Sequence, residues 1–454
     1  MNTRPNITNI DAIASFVADA DYAKFPAAVL DAARFCLVDW FGVALGAANE
    51  PAVKAIKRVV QGWNATGKAP ILLDGESSPA AAALVNGTMA HCLDFDDTHV
   101  GSIAHLSGPI WATAFAVGSH LGASPRDILT AFIVGFEVGG RLGSGGLGVA
   151  INERNIHSTG VFGCIGAATT ASMLYGLNSK QLKNAIGLAC TQAAGLTGSF
   201  GTPAKPFHAG KAAFNGVLAA EMAREGYDAA TGLIEADGGL ARALVQDRAV
   251  SVSPLDFSEG WEISRNTLKP YASCLLTHPV IDAARELHQR RGSREIVQID
   301  IHVEPMCIQL AGIPNPQTPF EGKFSVAFCS ALALEGRIPS QTEFNAANLG
   351  QQAIRQLVDR VELVPEKQMA KTAATVEISM ADGTRETCHV PLARGNPGRP
   401  MSWDDMKDKF SSLVLPVFAE QQTGIFETLR GFDSLPDLAA IKSELYREPA
   451  LHGA

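Results

Sequence analysis

The sequence predicts a mainly α-helical protein: a large all-helical domain plus a smaller α+β module in its C-terminal half. Three observations carry that expectation. Of 454 residues, 43 are glycine and only 7% aromatic, while 46% are hydrophobic. That composition suits closely packed helices better than sheets, whose strands favour β-branched and aromatic residues. Apolar residues recur at helical spacing through most of the chain up to about Leu268, and from residue 296 the period switches to two.

Taken in order, Val29, Ala33, Cys36, Trp40 and Val43 form the stripe of an amphipathic helix. Ser124-Pro125-Arg126-Asp127 is a helix start, with serine at the N-cap, proline at N1 and an acid at N3. The helix that follows carries Glu137 and Arg141 at i,i+4. Asn178 to Gln181 predicts a capping box, and the small-residue run after it lets helices approach closely. VFGCIGAATTASMLYGL and KAAFNGVLAAEMAREGY have the same character. Near Asn266 the pattern changes. HPVIDAARELHQRRG reads as a helix closed by Gly292, and EIVQIDIHVEP alternates like a half-buried strand. FSVAFCSALALEG is a helix, QQAIRQLVDRVELVP a helix running into a strand, and ATVEISMADGTRETCHVPL a hairpin about Asp382-Gly383. Arg394–Pro400 is a Gly/Pro-rich linker. WDDMKDKFSSLV and LAAIKSELYR are helical again and free to return to the first domain, with the mixed charges at 404–409 on a solvated face.

The formal net charge of −9 argues against a nucleic-acid partner or an anionic membrane surface. The apolar stretch Gly108–Gly118 falls short of the roughly 20 residues that span a bilayer. The N-terminal residues lack a basic-then-apolar secretory pattern, so a cytoplasmic location is expected. Eight scattered cysteines without a C-x-x-C pair read as buried free thiols.

Four segments are candidates for chemistry. Gly143–Gly148 matches G-x-G-x-x-G, but a helical pattern precedes it where a dinucleotide fingerprint needs a strand, so an interhelical loop is the better reading. Asn86–His105 is the densest polar cluster, with three histidines and three aspartates inside it. His91, Asp94 and Thr98 share one face if the helix continues that far. Residue types alone leave an acid/base site, a metal site and a solvated helix end open there. Lys205-Pro-Phe-His208-Ala-Gly-Lys211 follows a Gly/Thr/Ser-rich loop and suits carboxylates, against the alternative of solvated loop lysines. Lys269 to His278 lies at the junction of the two modules, where a cleft would need polar groups, and His157 has similar standing. His120, His288, His302, His389 and His452 attract no functional reading.

Read together, NGTMAHCLDFDDTH, AHLSGPIWATAFAVGSHLGAS, DILTAFIVGFEVGGRLG, HSTGVFGCIGAATTASMLYGL, KPFHAGKAAFNGVLAAEMAREGY and KPYASCLLTHPVIDAA, in that order, resemble the MmgE/PrpD family. This group contains 2-methylcitrate dehydratases, cis-aconitate decarboxylases and iminodisuccinate epimerases. The resemblance implies an all-helical domain built from both chain ends (1–267 and 398–454), an α+β lid domain (268–397) and a homodimer. Carried over residue by residue, it implies catalytic roles for Asp94, His105, Lys205 and His278, and substrate contacts from Thr98, His157 and Lys269. It implies no metal and no organic cofactor. The expected reaction is proton transfer next to a carboxylate of a small di- or tricarboxylate, with loss of water or CO2. Epimerisation at a carbon α to a carboxylate is the alternative, and a non-catalytic binding protein a remote one. A carbanion next to a carboxylate concentrates charge, so the site must gather cations and a base near neutrality, in a pocket expected at the seam of body and lid.

Overall fold

The computed structural model describes residues 8–445 apart from 246, 248, 249 and 251. His452 and the N-terminal residues 1–7 therefore lie outside the described residues. The chain is mainly helical, and it divides into two compact units, 1–267 with 413–454 and 268–412. Residues 398–412, which the sequence reading gives to the helical body, pack with the second unit.

The first unit is helix on helix. Helix α1 (Ala27–Gly46) buries the predicted stripe from Val29 to Val43, and its Trp40 Nε1 donates to the Gly108 carbonyl at 3.1 Å. α2 (Pro79–His91), α3 (Ser107–Leu121) and α4 (Pro125–Gly143) follow, then α5 (Ser158–Leu174), α6 (Ser179–Cys190) and α7 (Ala204–Arg224). The expected caps form: Ser124 accepts from the Asp127 amide, and Asn178 and Gln181 close a reciprocal capping box. α2 and most of α5 are buried around their whole circumference, which explains why their alanines, glycines and threonines show no polar face. α7 packs against both. At its crossing with α2, a Cβ on Gly87 would sit 2.9 Å from the Gly210 Cα, and one on Gly210 would lie 2.2 Å from the Leu84 carbonyl. Only glycine at both positions lets the two backbones touch, and that contact sets where the start of α7 meets the end of α2.

Glu137 and Arg141 pair at 3.2 Å as their spacing predicts. The Glu137 carboxyl also accepts the amides of Glu262 and Ile263 at 3.0 and 2.9 Å, so it anchors the turn at Glu262–Arg265. The expectation of helix almost throughout to Leu268 fails after Arg224. Among the described residues from there to Trp261 the structure has one short helix, Leu240–Leu244. Gly226, Gly232, Gly238, Gly239, Pro254 and Gly260 interrupt any longer run.

The second unit contains a four-stranded sheet of β1 (Ile296–Val303), β2 (Val361–Pro365), β3 (Ala374–Met380) and β4 (Arg385–Val390) in the order β2-β1-β3-β4. β1 and β2 are parallel and the other pairs antiparallel. β3 alternates strictly between buried and half-buried residues, as a sheet with one covered face requires. Its covering helix α8 (His278–Arg291) ends at Gly292, φ +60°, and packs on β3 and β4 with the fully buried α9 (Val326–Leu334) against it. The hairpin turns at Gly383, φ +84°. Asp405 and Lys409, expected on a solvated face, are instead engaged: Arg394 pairs with Asp405 at 2.7 Å, and Lys409 is buried.

All eight cysteines are free thiols. No helix among the described residues is long and apolar enough to cross a membrane.

Candidate active site

α2 ends at His91, and the polar segment that follows is a compact loop, not more helix. Asp94 takes the left-handed conformation (φ +53°), which an aspartate tolerates better than most residues and which turns the chain away from the helix axis. The expected common helical face of His91, Asp94 and Thr98 is therefore replaced by a fold-back. Thr98–His99 pairs with Asn266–Thr267, and a bridge from His99 to Ala104 closes the loop before α3.

The first consequence is the placement of His105. Its backbone amide donates to Thr159 Oγ1 at 3.0 Å, and its Nδ1 lies 2.7 Å from the Asp97 carbonyl. A carbonyl only accepts, so Nδ1 carries a hydrogen and the neutral ring keeps its lone pair on Nε2. Asp96 Oδ2 lies 3.4 Å from the same Nδ1 and Thr98 Oγ1 3.5 Å from it. Asp96 also receives His91 Nδ1 at 2.8 Å, so one carboxylate stands between two imidazoles. Burial alone would push the Asp96 carboxyl up, but the two rings beside it outweigh burial and hold it well below the ordinary carboxylate value. Burial lowers His91 to about 4 against the opposing pull of Asp96, with Lys205 and His105 adding to the fall. At neutral pH the pair is an ionised Asp96 accepting from a neutral His91.

The second consequence is the ion pair of Lys205 with Asp94. Lys205 sits in the first turn of α7, brought there by the Gly87–Gly210 contact, and its Nζ donates to Asp94 Oδ1 at 2.5 Å. Both side chains are buried, and the ammonium also stands 5.2 Å from the centre of the Phe200 ring. His157, the N-cap residue of α5, completes the group. Its ring stacks 5.7 Å from that of His91 and packs edge-on against Phe200. Burial drives His157 well below the usual histidine value, and the neighbouring His91, Lys205 and His105 push the same way.

In the helical unit Thr98 approaches His105, the His91 ring lies between those of His105 and His157, and Phe200 meets both His157 and the ammonium of the Lys205–Asp94 pair. Lys269 and His278 are buried in the second unit, where His278 opens α8 with Nε2 3.3 Å from the Ser273 carbonyl. The sequence reading gives no role to Asp96 and none of its own to His208. The Lys205–His208 spacing of i,i+3 at a helix start was the available signal for the latter.

Asp97 is a buried acid of another kind. Burial raises it to about 7, Asp39 adds to the rise, and hydrogen bonds from Ser107 and Asn266 offset it only in part. Its proton is bound in the folded state at pH values where the unfolded carboxyl, near 3.8, has lost it. The stabilisation is complete below pH 4 and disappears as pH rises through about 7, a change of up to about 4 kcal/mol. The melting temperature is expected to fall between pH 5 and 8.5, and Asp97→Asn to flatten that slope. An identical slope in the variant would contradict the assignment.

Ligand atoms of His91, Asp96 and His105 lie within 4.8 Å of one another, so this trio is the metal candidate among the described residues. Its donor set fits an ion poorly, because both Nδ1 atoms facing Asp96 are committed to hydrogen bonds and the Lys205 ammonium stands nearby. Turnover is expected to be unchanged by EDTA; loss restored by a single divalent ion would assign the trio to metal. The glycine motif lies elsewhere. Gly145 and Gly146 turn at φ +72° and +104° between α4 and a short helix, with no strand before them. A cavity of about 160 Å³ beside them, lined by Arg141, Ser253 and Asp256 among others, holds no histidine.

The MmgE/PrpD N-terminal domain matches residues 11–253 and the MmgE/PrpD C-terminal domain residues 271–430. The chain belongs to the MmgE/PrpD family. Within that family it is similar to the human cis-aconitate decarboxylase, 26% identical over 385 residues that cover 81% of this chain and 79% of the relative. The mouse cis-aconitate decarboxylase is 28% identical over 73% of this chain and 71% of its own length. The Aspergillus terreus cis-aconitate decarboxylase is 25% identical over 92% and 91% respectively. Both MmgE/PrpD domains are thus present, and the histidine cluster belongs to the first.

Proposed function

We propose that this chain is a lyase acting on an aconitate-like tricarboxylate, removing CO2 by cofactor-independent proton transfer at a carbon next to a carboxylate. The observation that carries the reading is His105, held by the Asp97 carbonyl so that Nε2 is its working nitrogen, beside the buried Lys205–Asp94 pair. The similarity to cis-aconitate decarboxylases supports the choice of CO2 over water. In the proposed reaction the bond to one carboxylate breaks and CO2 leaves. The electron pair passes through the neighbouring double bond, and the far carbon takes a proton. Nε2 of His105, protonated, delivers that proton. Lys205 supplies positive charge where the carbanion develops. Thr98 and His157 are proposed as substrate contacts. Lys269 and His278 enter the proposal on the family resemblance, as does the homodimer.

The test is a panel of citrate-, aconitate- and aspartate-derived acids followed by NMR, with CO2 measured in the headspace. The expected result is a new alkene from cis-aconitate with one CO2 per product. Alkene formation from a citrate without CO2 would make the enzyme a dehydratase, and inversion without loss of mass an epimerase. No change in any acid would overturn the enzymatic reading.

A further inference from the structure

We propose that His208 is a proton-relay residue, taking up protons at the protein surface and passing them through His157 to the histidine cluster. The inference rests on the reading of that cluster as a proton-transferring site. A reaction that protonates carbon removes one proton from a partly or wholly buried acid in every turnover, and that acid must be recharged from water. His105, His91 and His157 have little or no solvent exposure. His208 is half-buried and lies in α7, one turn on from Lys205.

His157 Nδ1 and His208 Nδ1 are 3.0 Å apart. Two neutral rings meeting this way share one hydrogen, since two Nδ1–H groups would repel and two lone pairs would not bond. Burial lowers both rings, most strongly His157, and the Lys205 ammonium lowers them further, so both are neutral at rest. The two nitrogens of an imidazole diverge, so with Nδ1 on His208 the Nε2 edge of His157 points away from it. The His157 ring lies 5.7 Å from that of His91 and 6.4 Å from that of His105. At the outer end, His208 Nε2 lies 3.5 Å from Ser199 Oγ, on an exposed turn. The backbone is bare where the rings meet. A Cβ on Gly195, φ +150°, would lie 3.1 Å from His208 Nδ1 and 3.3 Å from the His157 Cβ, and the Gly195 carbonyl accepts the His157 amide at 3.1 Å.

The relay balances with N–H bonds alone. A solvent proton binds His208 Nε2, the Nδ1 hydrogen of His208 crosses to His157 Nδ1, and the Nε2 hydrogen of His157 passes by way of water to Nε2 of His105, which has just given its own hydrogen to carbon. Each ring ends neutral with its hydrogen on the other nitrogen; between turnovers the contact opens and both rings exchange tautomers with water, so the start is restored with no proton carried back and each turnover takes one proton inward.

His208→Gln tests this, because the amide can still hydrogen-bond His157 but cannot pass a proton. With cis-aconitate as probe, kcat is expected to fall about 10-fold or more while KM stays within about twofold, and added imidazole to restore kcat in a concentration-dependent way. An unchanged kcat, or a loss that imidazole does not relieve, would overturn the relay and leave His208 a packing residue. Should the variant fail to fold, wild-type kcat in H2O–D2O mixtures decides. A bowed dependence on deuterium fraction supports several protons in flight, and a straight line counts against it. A wild-type protein that turns over no acid in the panel overturns the functional reading itself, a result distinct from an active wild type with an unaffected His208→Gln.

Discussion

Replacing His105 with alanine is expected to lower kcat about 100-fold or more while the melting temperature changes little. The imidazole keeps 12% of its surface exposed, and its removal leaves the backbone bond from residue 105 to Thr159 intact. His105→Asn is the sharper variant. It keeps a donor near the position of Nδ1 and discards Nε2, so a loss equal to that of alanine locates the chemistry at Nε2. Steady-state kinetics beside a thermal melt would check this, and near-normal turnover in both variants would remove His105 from the mechanism.

Lys205→Met is expected to behave differently. Activity falls by a similar factor, but stability falls too, because the substitution removes the ammonium that pairs with the buried Asp94 carboxylate. Breaking one side of a buried pair costs about 3–5 kcal/mol. The 2.5 Å contact with Asp94 is what ties Lys205 to stability as well as to activity. The double variant Lys205→Met/Asp94→Asn removes both charges. It is expected to recover most of the lost stability and none of the activity. A double variant as unstable as the single would contradict the ion pair, and an active one would contradict the role of the ammonium.

What could be read from the sequence was what neighbouring residues decide among themselves. Ser124 and Asp127, Asn178 and Gln181, the alternation in β1 and β3 and the turn at Gly383 are all local, and each forms as read. After Arg224 the apolar residues suggest more helix, but the recurrent glycines prevail and leave a single short one among the described residues. The site was legible as a set of residues, through its motifs, but not as a geometry. Nothing near Asp94 in sequence indicates that it leaves the helix at φ +53°, since that conformation is held by contacts of the whole loop. Lys205 reaches Asp94 across 111 positions only because Gly87 and Gly210 let two helices touch. The His157–His208 contact likewise depends on an uncluttered backbone at Gly195. Such long-range fits have no periodicity to betray them.

The claim at the centre of this account is that a proton from water reaches a substrate carbon by way of the His105 ring. Its most direct measurement is turnover of cis-aconitate in D2O by the wild type and by His105→Asn, with deuterium in the product located by NMR. The account predicts one solvent deuterium per product molecule, at the carbon that gains hydrogen, and almost no product from the variant. Product that carries no solvent deuterium, or equal labelling rates in the two proteins, would contradict it.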